Sequence, residues 1–274
     1  MSSKKIVLIT GASSGNGQAT ARLLSQRGYK VFGTSRNPSS AKMIPNVEML
    51  ALDVRVDDSV MACVKAVSDQ VGHLDVLVNN AGYELAGALE ELSLDEAKAQ
   101  FETNFFGIVR MVKTVLPLMR QQGFGQIINI SSLAGLSPVP FMGIYSASKF
   151  ALEGYTEALR LEVKLFNIHV SLVEVGFLNT PMMDKRQVAA HQIGDYDLWR
   201  QRTFDAIREF EEAGPGPALV AKTILKVIAS TTPRLRYVIG KQAKLISGLR
   251  RFMPEGLIEK GTMSNFRLNI KSRG

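Results

Sequence analysis

The sequence predicts an α/β fold, a doubly wound parallel sheet of about seven strands in a single domain, residues 1–274. Three observations carry that expectation. Short apolar runs alternate with stretches of helical period along the chain. The first run passes through a glycine-rich turn directly into a helix. Small and polar residues stand at the carboxyl ends of several runs, where open parallel sheets place ligands.

Size and composition set the bounds. A chain of 274 residues that is 46% hydrophobic has ample material for one large core. Its one cysteine, Cys63, cannot form an internal disulfide, and it falls among Val60, Val64, Val67 and Val71 at helical spacing, as a small buried hydrophobe would. The amino-terminal apolar run is too short for a signal peptide and no run approaches a membrane span, so a cytoplasmic location is expected. His73, His169 and His191 are scattered, and no metal site is expected. Net charge is +8, of which +6 lies in the extension 241–274 (eight Lys/Arg against two Glu). The rest is close to neutral, which does not suit a nucleic-acid binder.

The elements follow in order. Residues 6–9, Ile-Val-Leu-Ile, form a continuous apolar run, as expected of a strand covered on both faces. Thr10-Gly-Ala-Ser-Ser-Gly-Asn-Gly17 comes next, then a helix over 18–27 stopped by Gly28. Gly11, Gly15 and Gly17 let backbone approach a phosphate at a helix N-terminus, or simply make a tight connection. Strands are read at 30–35, 47–52 and 75–79, the last running into Asn80-Ala-Gly82. Ser93-x-x-Glu96 is a capping box. The helix it opens carries Asn104, a poor helix former, either as a bland surface residue or for a function. Pro117 bends or ends that helix. A fifth strand, 126–130, leads into Ser131-Ser132.

A helix over 145–167 follows, with Leu152, Tyr155, Leu159, Val163 and Phe166 on one face and Glu153, Glu157, Arg160 and Lys164 on the other. Tyr145 and Lys149 are then neighbours, about 5–6 Å apart at Cβ. A nearby ammonium favours the phenolate and draws a phenol's pKa down from about 10. Ser132, thirteen positions earlier, offers a hydroxyl to the same substrate oxygen. Tyr237-x-x-x-Lys241 is a decoy, because in a strand the two residues lie about 13 Å apart. A sixth strand spans 169–173, and 177–215 shows no clear period and reads as a mobile substrate lid. Gly216-Pro217 starts a helix, and 236–239 is the seventh strand.

Thr10-Gly-x-x-x-Gly-x-Gly17, Asn79-Asn-Ala-Gly82, Ser132 and Tyr145-x-x-x-Lys149, in this order and spacing, closely resemble the short-chain dehydrogenase/reductase family over roughly residues 6–180. The carboxyl third, with Pro233-Arg-Leu-Arg-Tyr237, resembles the branch of 17β-hydroxysteroid and retinol dehydrogenases. The resemblance implies a Rossmann domain and a catalytic set: Tyr145 as general acid/base, Lys149 lowering its pKa and holding the nicotinamide ribose, Ser132 on the substrate oxygen, and Asn104 keeping a relay water. Ser131 competes for the serine role, but Ser132 has the family's spacing. Ser13, Ser14 and Asn16 would lie near the pyrophosphate, Asp53 and Val54 at the adenine, Asn80, Ala81 and Gly82 on the adenosine ribose side, and Gly176 and Thr180 beside the nicotinamide amide. Asn16 stands where the family usually has an apolar residue, and Val175 where it usually has proline.

Nineteen positions after Gly17 stands Arg36, where an acid commonly bonds the ribose 2′-hydroxyl. A guanidinium there pairs with a 2′-phosphate, unless it is merely a solvated charge. NADP(H) is therefore expected over NAD(H), which stays usable. Leu136, Val139, Phe141, Met142, Phe177, Met182, Met183 and Trp199 line an apolar pocket or pack in the core. The expected substrate is a small lipophilic ketone, aldehyde or alcohol. The expected assembly is a homo-oligomer. A non-catalytic dinucleotide sensor would be expected to lack Tyr145 or Lys149, and both are present. Leu245, Ile246, Leu249, Phe252 and Met253, beside Lys244, Arg250 and Arg251, form a helical stripe that packs on the domain or a partner subunit, or else meets a membrane surface.

Overall fold

The computed structural model describes residues 4–179, 186–240 and 253–269. Thr180, Met182, Met183, Lys241 and the tail residues Lys244, Leu245, Ile246, Leu249, Arg250, Arg251 and Phe252 lie outside the described residues.

Strand β1 (Ile6–Ile9) is central, and its unbroken apolar run has the cause expected of it. Ile6 and Leu8 enter the core on one face of the sheet, while Val7 and Ile9 enter the core on the other. It passes into α1 (Gly15–Gln26), which packs over the second face with Ala21 and Leu24. Then come β2 (Lys30–Ser35), β3 (Val47–Ala51), α2 (Asp57–Val71), β4 (Val76–Asn79) and a two-residue strand, β5 (Leu85–Ala86). Helix α3 (Leu94–Phe101) opens on the capping box, with the Ser93 hydroxyl and the Glu96 carboxylate each accepting from the other's backbone N–H.

A π-helical turn, Glu102–Phe106, joins α3 to α4 (Gly107–Gln122). Pro117 neither ends α4 nor stops the chain from helical winding, which runs on to Gln122 before Gly123 closes it at φ 72°. After β6 (Gly125–Ser132) come α5 (Gly143–Glu162), β7 (Ile168–Val175) and the short β8 (Gln187–Val188). Helices α6 (Asp197–Glu212) and α7 (Pro217–Ala229), strand β9 (Arg236–Ile239) and α8 (Glu255–Asn265) complete the described elements.

The seven main strands pair in parallel in the order β3-β2-β1-β4-β6-β7-β9. The order reverses between β1 and β4, and at such a switch point the strand ends open a crevice. On one face lie α2, α4 and α5, contributing Val60, Met111 and Leu152 to the core. On the other lie α1 and α7, with Leu24 and Ile224. Beyond the strand ends a third cluster gathers Val139, Met142, Tyr145, Ile207 and Phe266, with Phe177 and Phe210 packed against it.

Two expectations change. The stretch 177–215 is not without order: α6 runs through it. Its inward positions include Arg200, Thr203 and Glu211, so the buried face is partly polar and carries no clean apolar period. Glu153 does not face solvent on α5 but is buried, because Arg236 of β9 and Ser131 of β6 meet it there.

Candidate active site

The glycine turn is built by close approach. Gly11 sits at φ 67°, and a Cβ on Gly17 would come within 2.3 Å of the Gly11 carbonyl oxygen, so neither position takes a side chain without a shift. Asn80 holds this turn. Its amide donates to the carbonyl oxygens of Thr10 and Gly11, both at 3.0 Å, so the side chain expected on the ribose side shapes the loop itself. Ala81 packs against Gly11, and Gly82 lies so near the Asn104 amide that a Cβ would meet its Oδ1 at 3.0 Å.

The turn fits a dinucleotide, with its anionic pyrophosphate and its hydroxyl donors, on two observations. Ser14 caps α1 without a side-chain hydrogen bond, leaving the helix's amino end open to an anion. The buried Asn16 Oδ1 has no hydrogen-bond partner among the described residues, and Asn16 lines the adjoining cleft. Ser13 accepts at its backbone carbonyl from Gln18. Arg36, just past β2, is exposed and forms no hydrogen bond or ion pair among the described residues. Thr34, two residues before it, accepts from the Gly11 N–H through its hydroxyl, which ties the end of β2 to the turn. Asp53 is gripped by Arg55, at 2.6 Å, and that pair holds its carboxyl below the usual range. Val54 is buried against Gly107.

The cleft has a cavity volume of about 100 Å³ and is lined by Asn104, Ser131, Ser132, Tyr145, Lys149 and Gly176, among others. Tyr145 and Lys149 lie one turn apart on α5, and the ammonium stands 5.8 Å from the phenol ring's centre. Lys149 donates to the Ile130 carbonyl at 2.9 Å. The two serines of β6 separate cleanly. Ser131 gives its hydroxyl proton to Glu153, whereas Ser132 accepts from the Ala134 N–H at 3.1 Å and faces the Tyr145 phenol. Asn104 is buried in the π-helical turn and holds both backbone groups of Tyr83: Nδ2 donates to the carbonyl at 2.9 Å and Oδ1 accepts from the N–H at 3.0 Å. Such turns often mark functional sites.

The electrostatics depart from the expectation that Lys149 lowers the tyrosine. Burial pushes the Tyr145 phenol well above its ordinary value, and Glu84 adds to that. The hydroxyl of Ser132 acts in the opposite sense. Burial also pushes the Lys149 ammonium down to about 8.

Sequence reading did not single out the residues on the cleft's other wall. Tyr83, Glu84, Arg186 and Glu211 line it beside Val139, Met142, Phe177 and Ile207. Arg186 bridges Glu84 at 2.9 Å and Glu211 at 2.6 Å, so the pocket is not as apolar as expected. The rings of Phe177, Phe210 and Phe266 pack edge-on or tilted against one another, with centroids 5.2–6.4 Å apart, and Phe177 lines the cleft. Phe141 turns instead to Tyr196, at 6.2 Å. Trp199 stacks under Arg202. Neither Phe141 nor Trp199 is among the residues lining the cleft.

A sequence profile of the family described as short chain dehydrogenase matches residues 5–190. The chain belongs to the short-chain dehydrogenases. They are oxidoreductases, and this member is an enzyme of that kind. A 3-ketodihydrosphingosine reductase of Bacteroides thetaiotaomicron is 43% identical over 93% of this chain and 95% of its own length. Retinol dehydrogenase 8 of Bos taurus is 38% identical over 92% of this chain and 86% of its own. Among solved structures, a short-chain dehydrogenase from Streptomyces avermitilis superposes with a TM-score of 0.82 at 32% identity, covering 96% of this chain and 98% of that one. One from Burkholderia phymatum, in complex with NAD, gives 0.78 at 26% identity, covering 90% and 93%. ElxO with NADP bound gives 0.72 at 29%, covering 86% and 97%. No helix among the described residues is long and apolar enough to cross a membrane.

Proposed function

We propose that this short-chain dehydrogenase is an NADP(H)-dependent oxidoreductase that interconverts a lipophilic ketone or aldehyde and its alcohol in the cytoplasm, as a homo-oligomer. The observation that carries this is the meeting of Ser132, Tyr145 and Lys149 in one cleft, between an open glycine turn and an aromatic cluster. The relatives named for keto-sphingoid and retinol substrates support a lipophilic one. Exposed Phe106, Leu161 and Leu165 supply apolar surface for a second subunit.

A bound nicotinamide dinucleotide supplies the hydride. Everything else falls to the chain. The glycine turn and the amino end of α1 hold a pyrophosphate, with Ser13, Ser14 and Asn16 beside it, while Asp53, Val54, Asn80, Ala81 and Gly82 shape the adenosine side. Arg36, which forms no hydrogen bond or ion pair among the described residues, pairs with a 2′-phosphate. Lys149 would hold the ribose and Gly176 would border the amide, a role the resemblance also gives to Thr180, which lies outside the described residues. In the reductive direction Tyr145 gives its proton to the carbonyl oxygen while Ser132 donates a hydrogen bond to that same oxygen. A buried, protonated phenol is ready for that role. Asn104 fixes Tyr83, and its Oδ1 keeps a lone pair for a relay water.

The test is consumption of NADPH, followed by absorbance, with long-chain ketones, retinoids and steroids. Tyr145→Phe is expected to lower turnover by about 10²-fold or more while NADPH still binds. Near-normal turnover in that variant, or activity confined to sugars and short hydroxy acids, would overturn the reading. Arg36→Asp is expected to weaken NADPH far more than NADH, with the loss shrinking as salt rises. Equal use of both cofactors by the unaltered protein would remove Arg36 as the discriminator.

A further inference from the structure

The wall of the cleft opposite the glycine turn carries a charge that the proposed chemistry does not use. Glu84, just before β5, and Glu211, on α6, share one arginine, Arg186, so two carboxylates face a single guanidinium. All three side chains are 15% exposed or less, and all three line the cleft. Arg186 satisfies Glu84 Oε2 and Glu211 Oε1. Glu211 Oε2 is buried and has no hydrogen-bond partner among the described residues. A buried carboxylate oxygen left without a donor is costly, and in a native fold such an atom needs an explanation. The cluster also acts on the reacting centre, since Glu84, Arg186 and Glu211 all influence the Tyr145 phenol through space.

We infer that Glu211, with Glu84 held beside it by Arg186, binds a cationic amine carried close to the reacting carbonyl, so that the preferred substrate is a lipophilic amino ketone and not a neutral one. This rests on the carbonyl reading above and narrows it. On this wall two carboxylates share one guanidinium, the cleft's other cation, Lys149, is engaged by the Ile130 carbonyl, and the free Glu211 oxygen gives an ammonium its acceptor. Val139, Met142, Phe177 and Ile207, which line the same cleft, take the apolar chain of the same molecule. Burial pushes the Glu211 carboxyl up to about 7, and an ammonium beside it would draw that value back down. A ligand carboxylate would instead meet two like charges here.

The test compares kcat/KM for a long-chain 2-amino ketone and for the same chain with hydrogen in place of the amine. The unaltered protein is expected to prefer the amino ketone by about 10–100-fold, the range of a hydrogen bond to a buried charge. Glu211→Gln keeps the shape and is expected to collapse that ratio through KM, whereas Glu211→Asp retains part of it. A second measurement does not depend on a variant or on turnover. Calorimetry should show a long-chain primary amine binding the unaltered protein more tightly than the matching alcohol. Equal kcat/KM for the two ketones, an unchanged ratio in Glu211→Gln, or equal binding of amine and alcohol overturns the inference while leaving the carbonyl reading intact. If neither ketone is reduced, both fall.

Discussion

Two arginines in this protein each gather two or more carboxylates, at least one of them buried, and their surroundings differ. Arg186 faces a cleft. Arg236, on β9, is 31% exposed and meets the buried Glu153 of α5, the buried Glu174 of β7 and the exposed Glu157 of α5. Glu174 is fully buried. Its Oε1 stands 2.8 Å from the Arg236 Nε, yet off the line of the N–H, so the contact is an ion pair and not a hydrogen bond. Through Glu153 and Ser131 the cluster reaches β6 as well. One arginine thus stitches the last strand to three other elements. The difference teaches what burial does to surplus negative charge. Where elements close around it, the charge can be relieved only by protonation. Burial raises Glu153, and it raises Glu174 to about 7. Where the same surplus opens on a cleft, a ligand can relieve it.

The comparison breaks most visibly if Arg236 is removed. Arg236→Met leaves the buried Glu153 and Glu174 and the exposed Glu157 without their counter-charge, and because the guanidinium is 31% exposed it is expected to cost about 1–3 kcal/mol in urea unfolding at neutral pH. Arg186→Met, beside an open cleft, is expected to cost less than half as much in the same measurement. Equal losses would mean that both clusters are structural.

A comparable effect concerns pH. The folded value of Glu174, about 7, lies above an unfolded value near 4.5. The protonated form is thus favoured by folding, and its contribution is present in full below about pH 4.5 and lost as pH rises through 7. Glu174→Gln should therefore flatten the fall in unfolding free energy across that window by about 1–3 kcal/mol. An unchanged slope would show that Glu174 stays ionised in the fold.

The smallest contrast lies between adjacent serines. Ser131→Ala removes a bond to Glu153 and is expected to cost about 1 kcal/mol of stability with little change in turnover. Ser132→Ala is expected to do the opposite. If Ser131→Ala alone stops turnover, the serine roles are exchanged.

How far the sequence reveals this molecule depends on where its polar residues point. The strands were legible because β1 is an unbroken apolar run and β4, β6 and β7 send apolar residues into the core on both faces, and their parallel pairing follows from the alternation with helices. The turn of Gly11, Gly15 and Gly17 and the meeting of Ser132, Tyr145 and Lys149 were legible from spacing. Helix α6 was not, because Arg200 and Glu211 occupy inward positions that periodicity reserves for apolar side chains. The burial of Glu153 was not legible, because its partner on β9 lies 83 residues away. The charged wall of the cleft joins residues near 84, 186 and 211 that no local pattern connects.

The π-helical turn at Glu102–Phe106 has a consequence for phase. Each residue advances an α-helix by about 100°. A wide turn holds one residue more than regular winding needs, so α3 and α4 run out of step across it. Deleting a single residue there would let the two fuse into one regular helix. It would also swing Asn104 by about 100° relative to one of the two flanking helices, away from Tyr83. No substitution at Asn104 itself would reproduce that change. The position of this side chain is therefore encoded in the number of residues before it as much as in its own identity.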